Sequence, residues 1–202
     1  MASPAVPIDV DEQSGVWRTD GLPMIYLPRH FLVNNHLAVE EALGLSTYRD
    51  ILRAATRKSA LHWCESTARL YDLGREATFR RYFERLSQRG WGLFSVDDLD
   101  LAAERGSLII RHSVFALESA GRTEQRVCYM FEGFVTGAFH FLLGSAAAGR
   151  RSIKCEEVQC AAGGQHHCCR FDFSAEQPNE VRSTRKRPPS SPWLNERGPN
   201  RR

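Results

Sequence analysis

The side chains best suited to do chemistry lie close together near the end of the sequence. Within residues 157–173, Cys160 stands before a pair of glycines, and Cys168 and Cys169 follow it. The flanking residues alternate between apolar and polar, as the strands of a hairpin do, and glycine supplies the positive φ angles of a turn. Such a turn brings Cys160 close to Cys168 or Cys169, and paired thiols of this kind begin many zinc sites.

Cysteine usage and the expected compartment favour a metal over disulfides. Four of the six cysteines fall within residues 155–169. Residues 1–11 lack the basic-then-apolar order of a secretory signal, and no run reaches the roughly 18 apolar residues of a membrane span. We therefore expect a cytoplasmic protein whose thiols stay reduced. Two alternatives stay open: buried thiols that act as small apolar side chains, and redox or iron–sulfur chemistry.

Composition and charge limit the other classes of protein. The chain has 202 residues, enough for one domain with tails, and 42% of them are hydrophobic, which suffices for a core. The net charge of +3 is uneven: residues 176–202 hold seven Lys or Arg and three Glu, a balance of +4, which leaves −1 for residues 1–175. A nucleic-acid-binding body is therefore not indicated, and the basic tail is expected to be disordered.

Apolar residues at helical spacing predict four helices. They cover residues 30–43, residue 46 or 47 to about 71, residues 76–89 and residues 125–143. In the last of these, Gly133 and Gly137 stand four apart, which lets another backbone approach closely. We expect this spacing to serve tight packing inside the domain and not a dimer seam.

Short runs rich in β-branched and aromatic residues predict the strands. They cover residues 24–27, 93–96 and 106–116 and the two arms of the hairpin at residues 157–173. Residues 1–20 lack periodicity and are predicted to be a mobile lead-in, and residues 145–149 form a predicted loop of small residues. This order of elements fits an α+β fold, in which helices pack on an antiparallel sheet.

Three pieces of the chain together resemble a known family. The first piece is Gly90-Trp91-Gly92 together with the later segment 110–116. The second is the segment 133–137, in a helix that ends at Gly144. The third is Glu157-x2-Cys160, followed by a glycine turn, Cys168/Cys169 and an aromatic strand. Over residues 90–173 the chain resembles the 4-vinyl reductase domain. This family is a ligand-binding module of bacteria and archaea, and it also forms the sensor half of phenol-responsive transcription activators.

The resemblance implies a fold and a division of the chain. The fold of the family is similar to that of Golgi vesicle-tethering subunits and haem nitric-oxide sensors. Residues 21–174 would form the 4-vinyl reductase-like domain, with a helical front half at 21–89 and the motif-bearing half at 90–174. Residues 1–20 would be a flexible lead-in and residues 175–202 a disordered basic tail.

The resemblance also implies a set of metal ligands. In metal-binding members these are a cysteine on the long helix, a glutamate and two cysteines, which fall here on Cys128, Glu157, Cys160 and Cys168. Counting along the motif selects Cys168, whereas the Cys-Arg-Phe order and strand alternation select Cys169, so both stay candidates. Three thiolates and one carboxylate form a closed tetrahedral set that suits zinc. His166 and His167 are spare ligands that could replace the glutamate.

A fold of helices on a curled sheet has room for an apolar pocket between its layers. The predicted wall and contact residues are Trp63, Trp91, His112, Phe115, Phe134 and Phe139, with Phe83, His62 and His140 as further candidates. Ordinary core packing of the aromatic rings and solvation of the histidines are the plain alternative.

Three functions are compatible with these features. The sequence contains no phosphate-binding glycine loop, nucleophile elbow or dinucleotide fingerprint. We therefore favour a sensor or carrier of a small apolar or aromatic molecule, with structural zinc, that acts as a homodimer or through a separate partner. We expect neither a membrane nor a nucleic-acid partner. The first alternative is a reductase, or an oxidoreductase subunit of 4-vinyl reductase type, and the second is an assembly or tethering subunit.

Overall fold

Helices fill the first half of the chain and the main sheet follows them, as the computed structural model of residues 6–144 and 152–176 shows. The N-terminal strands are β1 (Asp9–Asp11), β2 (Val16–Thr19) and β3 (Leu22–Met24). The helices are α1 (Arg29–Leu43), α2 (Leu45–Tyr71), α3 (Arg75–Gln88), α4 (Val114–Glu118) and α5 (Met130–Leu143). The strands of the main sheet are β4 (Leu93–Asp100), β5 (Arg105–Arg111), β6 (Ser152–Gln159) and β7 (Cys169–Glu176).

The main sheet is antiparallel, with strand order β4-β5-β7-β6. β4 and β5 form one hairpin, β6 and β7 form another, and β5 pairs with β7. Leu108 and Ile110 of β5 and Phe171 and Phe173 of β7 are buried, because residues two apart on a strand share a face. The α+β class predicted from the sequence, with helices packed on an antiparallel sheet, is confirmed.

Aromatic side chains fill the layer between helices and sheet. The ring of Phe139 on α5 lies 4.9 Å from that of Phe173 on β7, and the rings of Phe79 and Phe83 on α3 lie 5.0 Å apart. Edge-to-face contacts of this kind add about 0.5–1.5 kcal/mol each beyond the area that they bury. The ring of Phe79 also lies 6.3 Å from that of Phe173, so the apolar faces of α3 and α5 both pack against the sheet.

Helices α2 and α5 pack closely at the two glycines of α5. A methyl group at Gly133 would come within 2.6 Å of the Arg53 carbonyl oxygen, and one at Gly137 within 2.8 Å of the Ala60 side chain. Both distances are shorter than real Cβ contacts, so only glycine permits this approach. The predicted role of the Gly133–Gly137 spacing in packing within the domain is confirmed.

Helices α1, α2 and α3 begin and end within one or two residues of the predicted ranges. Their apolar stripes face the interior, and local periodicity was therefore enough to find them. Other elements differ from prediction, among them β4, which was predicted at 93–96 and continues to Asp100. Residues 125–129 are not helical, and α5 begins only at Met130. Strand β5 ends at Arg111, where His112 has a positive φ and Ser113 caps the short helix α4.

Residues 6–20 are more regular than predicted. Instead of a lead-in without structure, β1, β2 and β3 form an antiparallel sheet that ends at Met24, so the predicted strand at 24–27 begins too late. The side chain of Asp20 is fully buried and accepts hydrogen bonds from Nε and a terminal nitrogen of Arg85, both at 3.1 Å. This buried ion pair fastens the small sheet to α3.

Two predicted segments cannot be compared in full with the structure. The loop of small residues at 145–149 lies outside the described residues. Of the predicted tail at 175–202, Ala175 and Glu176 belong to β7, and the remainder lies outside the described residues. Within residues 6–144 and 152–176, no helix combines the length and apolar character that a membrane crossing requires.

Candidate metal centre

Four side chains that bind metals converge beneath the β6–β7 hairpin. The possible ligand atoms of Cys128, Glu157, Cys160 and Cys169 all lie within 4.8 Å of one another. The Sγ atom of Cys169 lies 3.6 Å from that of Cys128 and 3.9 Å from that of Cys160. These separations are those of atoms gathered around one point, so the four side chains form one candidate site.

Each ligand is positioned by a different feature of the backbone. Cys128 lies in the non-helical segment before α5, and Cys169 is the first residue of β7. Glu157 lies near the end of β6, where a β-bulge shifts the register between Glu157 and Gln159. Bulges re-aim side chains and often occur beside functional sites. Cys160 follows directly after β6, so the hairpin supplies three of the four ligands.

The structure brings Cys169 into the cluster and leaves Cys168 outside it. Cys169, Phe171 and Phe173 are buried on one face of β7, whereas Cys168 is half-buried and its Sγ accepts a hydrogen bond from Gln159 Nε2 at 3.4 Å. Strand alternation, one of the two criteria left open by the sequence, therefore agrees with the geometry. His166 and His167, the spare ligands, are exposed and lie apart from the four side chains.

The carboxylate of Glu157 is buried and only half satisfied. Its Oε2 accepts a hydrogen bond from the backbone N–H of Cys128 at 2.9 Å, while Oε1 has no hydrogen-bond partner among the described residues. Burial and the neighbouring Cys160 thiolate raise the pKa of Glu157 to about 9. Hydrogen bonds from Cys128 and Cys169 lower the pKa of Cys160 well below its usual range. Negative charge in this site is therefore costly unless a cation shares it.

These residues fit a zinc ion. An unpartnered buried carboxylate oxygen is rare in folded proteins, and here it belongs to a cluster with three sulfurs. Three thiolates with one carboxylate suit zinc and leave no open coordination position for a substrate. Two hydrogen bonds support the sulfurs: Ser113 Oγ lies 2.9 Å from Cys128 Sγ, and the Ala161 N–H donates to Cys169 Sγ at 3.3 Å.

Sequence reasoning missed two residues around the cluster. Ser113 contacts Cys128 across the core, and Glu132 accepts the backbone N–H of Glu157 at 3.1 Å. Ser113 carries no signal in the sequence. Glu132 does carry one, because it is the single acidic residue in the apolar run of α5.

The residues predicted to line a ligand pocket are mostly part of the aromatic core. Trp63, Phe115, Phe134 and Phe139 are buried, Trp91 is half-buried and His112 is exposed at the turn after β5. The rings of Trp91 and Phe134 lie 5.7 Å apart, and Tyr82 connects Phe134 to Trp63 through ring contacts of 6.2 and 5.1 Å. Trp63, Trp91 and Phe134 thus belong to one continuous aromatic region, and His112 does not.

None of the six predicted pocket residues lines either of two clefts on the surface of the described residues. One, of about 850 Å³, lies between the start of α2 and strand β6 and is lined by Arg49, Arg53, Lys154 and Glu156 among others. The other, of about 390 Å³, lies between α3 and β4 and includes Phe83 and Phe94. The rings of the aromatic region contact one another, so the region is packed in this conformation.

Some buried polar atoms away from the metal centre also have no hydrogen-bond partner in the described part of the chain. Apart from arginine nitrogens, they are Trp63 Nε1, Thr67 Oγ1 and His36 Nε2. Trp63 and Thr67 stand four residues apart on α2 and therefore share one face of the helix. His36 lies among the rings of Tyr48, Phe115 and Tyr129, with centroid distances of 4.7–5.1 Å.

The fold and the cluster together define an α+β domain with a candidate Cys₃Glu metal centre. A family profile described as "Domain of unknown function (DUF5943)" matches residues 2–97. No curated protein matches the sequence.

The solved structures that match this chain include the following two. The first is a crystal structure of the phenol-responsive sensory domain of the transcription activator PoxR with phenol: it is 18% identical, the match covers 83% of this chain and 84% of that chain, and the TM-score is 0.67. The second is a trafficking protein particle complex subunit 3 from Naegleria fowleri, covalently bound to palmitic acid. It is 10% identical, with 74% of this chain and 95% of that chain covered and a TM-score of 0.47. The first similarity shows that the two chains share a fold.

Proposed function

We propose that the chain is a small-molecule-binding sensor or carrier domain of the 4-vinyl reductase type, in which Cys128, Glu157, Cys160 and Cys169 hold a structural zinc ion. The observation that carries the metal assignment is the convergence of these four side chains, one of which, the buried Glu157, has an Oε1 atom with no hydrogen-bond partner among the described residues. Bound zinc would compensate the buried negative charge and cross-link the hairpin to the segment before α5.

The proposed ligand is a small aromatic molecule with one polar group. The PoxR sensory domain, which shares the fold, was solved with phenol. In this chain the aromatic region between α2, α3 and α5 offers ring contacts, and Trp63 Nε1 and Thr67 Oγ1 supply a donor and an acceptor that nothing in the described residues satisfies. A hydroxyl group that entered beside them would satisfy both, at the cost of moving Tyr82 or Phe134 aside.

The assembly and setting of the domain are part of the same proposal. The ligand-binding domain would include the small N-terminal sheet together with residues 21–174. It would act in the cytoplasm, where its thiols stay reduced, and pass its signal through a homodimer or a separate partner. Exposed apolar side chains at Ile25, Tyr26 and Phe31 support a protein-protein contact, because they lie close together along the chain before and within α1.

Two measurements on the purified chain test this function. Elemental analysis is expected to find one zinc per chain. Thermal unfolding with phenol and, as a matched control, benzene at equal concentration is expected to show a higher midpoint with phenol, because only phenol offers a hydroxyl group to Trp63 Nε1 and Thr67 Oγ1. Ligand binding would be contradicted if neither compound raises the unfolding midpoint and native mass spectra show no retained small molecule. That result would leave the zinc assignment unaffected.

A further inference from the structure

Glu132 is a fully buried acidic side chain within the apolar helix α5. An isolated carboxylate in such a place is expensive, so buried charges are found paired and hydrogen-bonded. The residue is not part of the candidate metal centre, because its side chain does not join the four clustered ligands. Its position therefore requires a separate physical reason.

The carboxylate of Glu132 accepts four hydrogen bonds from two other elements. Oε2 accepts from Arg49 Nε at 3.1 Å and from a terminal nitrogen of Arg53. Oε1 accepts from a second nitrogen of Arg49 and from the backbone N–H of Glu157 at 3.1 Å. A carboxylate has about four acceptor sites, so all are used, and Glu132 joins α2 and β6 to α5.

The contact with β6 falls on a residue of the metal centre. β6 is an edge strand, and its register shifts between Glu157 and Gln159. An edge strand at a bulge has no second strand to hold it. The Glu157 backbone is instead held by Glu132, and its side chain is held by the Cys128 N–H at 2.9 Å. Together these contacts fix the carboxylate within the cluster of sulfurs.

We infer that Glu132, with Arg49 and Arg53, is a positioning unit for the metal ligand Glu157. This inference rests on the proposed zinc site. None of the three residues provides a ligand atom; the unit acts through the backbone of Glu157 and makes the geometry of the centre depend on α2. Partners around metal ligands commonly contribute 10-fold to 100-fold in metal affinity.

The test is zinc affinity by chelator competition in the full chain, with cobalt(II) spectra as a second readout of ligand geometry. Glu132→Gln keeps the shape but turns an acceptor into a donor toward the arginines. It is expected to weaken zinc binding about 10-fold or more and to alter the thiolate–cobalt absorption bands. Arg49→Gln is expected to do the same to a smaller extent. Arg57→Gln is the matched control, because Arg57 lies one turn beyond Arg53 and contacts His140 at 3.0 Å instead.

The outcomes separate this inference from the zinc assignment. A parent chain that binds no zinc overturns both. If the parent binds zinc and both Glu132→Gln and Arg49→Gln bind it with the same affinity as the parent, the positioning unit alone is overturned. The same holds if Arg57→Gln loses as much zinc affinity as they do. If Glu132→Gln does not fold, by circular dichroism, the comparison of Arg49→Gln with Arg57→Gln decides.

Discussion

The Sγ atoms of Cys128 and Cys169 lie 3.6 Å apart although 41 positions separate the two residues. One belongs to the segment before α5 and the other to the first residue of β7, so their contact joins the helical layer to the hairpin. A metal cross-link at this point would restrict the hairpin in the same way as a disulfide, but without requiring an oxidising environment.

The two adjacent cysteines of the hairpin give a sharp test of the metal centre. Cys169→Ser is expected to lose zinc, because its sulfur lies within the cluster, whereas Cys168→Ser is expected to keep one zinc per chain, because its sulfur contacts Gln159. Elemental analysis of both variants measures this. Equal zinc content in the two variants would contradict the geometry.

Removal of the metal is expected to destabilise the chain strongly. Structural zinc contributes on the order of 10 kcal/mol of apparent binding free energy near pH 7, so a chelator should lower the thermal unfolding midpoint of the parent. Cys160→Ser should unfold near the midpoint of the chelated parent and should not respond to chelator. A parent whose midpoint is unchanged by chelator, with zinc shown to be absent afterwards, would exclude a structural role for the ion.

Gly137→Ala is expected to destabilise the packing of α2 on α5. Helix propensity alone would favour alanine by about 1 kcal/mol, but the added methyl group would lie within 2.8 Å of Ala60 Cβ and overlap the Arg57 carbonyl. Overpacking costs about 1–3 kcal/mol, so we expect a net loss of about 1 kcal/mol in urea unfolding. Gly163→Ala is the control, since its new Cβ would meet its nearest neighbour at an ordinary 3.5 Å.

Asp20→Asn is expected to release the N-terminal sheet from α3. The change removes the negative charge that faces Arg85, which is buried, and breaking a buried pair costs about 3–5 kcal/mol. Urea unfolding and the rate of proteolysis near residues 6–24 measure the effect. Asp50→Asn, at an exposed position on α2, should stay within about 0.5 kcal/mol of the parent; similar losses in both variants would contradict a specific role for Asp20.

His36 is expected to make stability fall at acidic pH. Burial lowers the pKa of His36 below its ordinary value of 6.5, although Glu40 opposes this. Below pH 6.5 the unfolded chain therefore takes up the proton more readily than the folded chain, so stability present above pH 6.5 is lost as the pH falls. His36→Gln should show a smaller loss between pH 7.5 and pH 5.5 in urea unfolding. Both chains share the metal ligands, so an identical loss would show that His36 does not contribute.

Local patterns in the sequence predicted most elements of the fold. The apolar stripes of α1, α2 and α3 and the alternation of Phe171 and Phe173 in β7 depend on residues a few positions apart, so they can be recognised without tertiary information. The segment before α5 could not be recognised in this way. Residues 125–129 carry a helical pattern, but the N–H of Cys128 donates to Glu157 instead of to a helical carbonyl.

The amino-acid sequence was sufficient to establish the α+β class, the hairpin and the group of cysteines and acids from which a metal centre could form. It could not select Cys169 over Cys168 as the partner of Cys128, nor show that Arg49 and Arg53 meet Glu132 from about 80 positions away. Those contacts depend on how α2, α5 and the hairpin pack against one another. Packing between elements distant along the chain leaves no periodic signal in the sequence, so the folded structure was needed to reveal it.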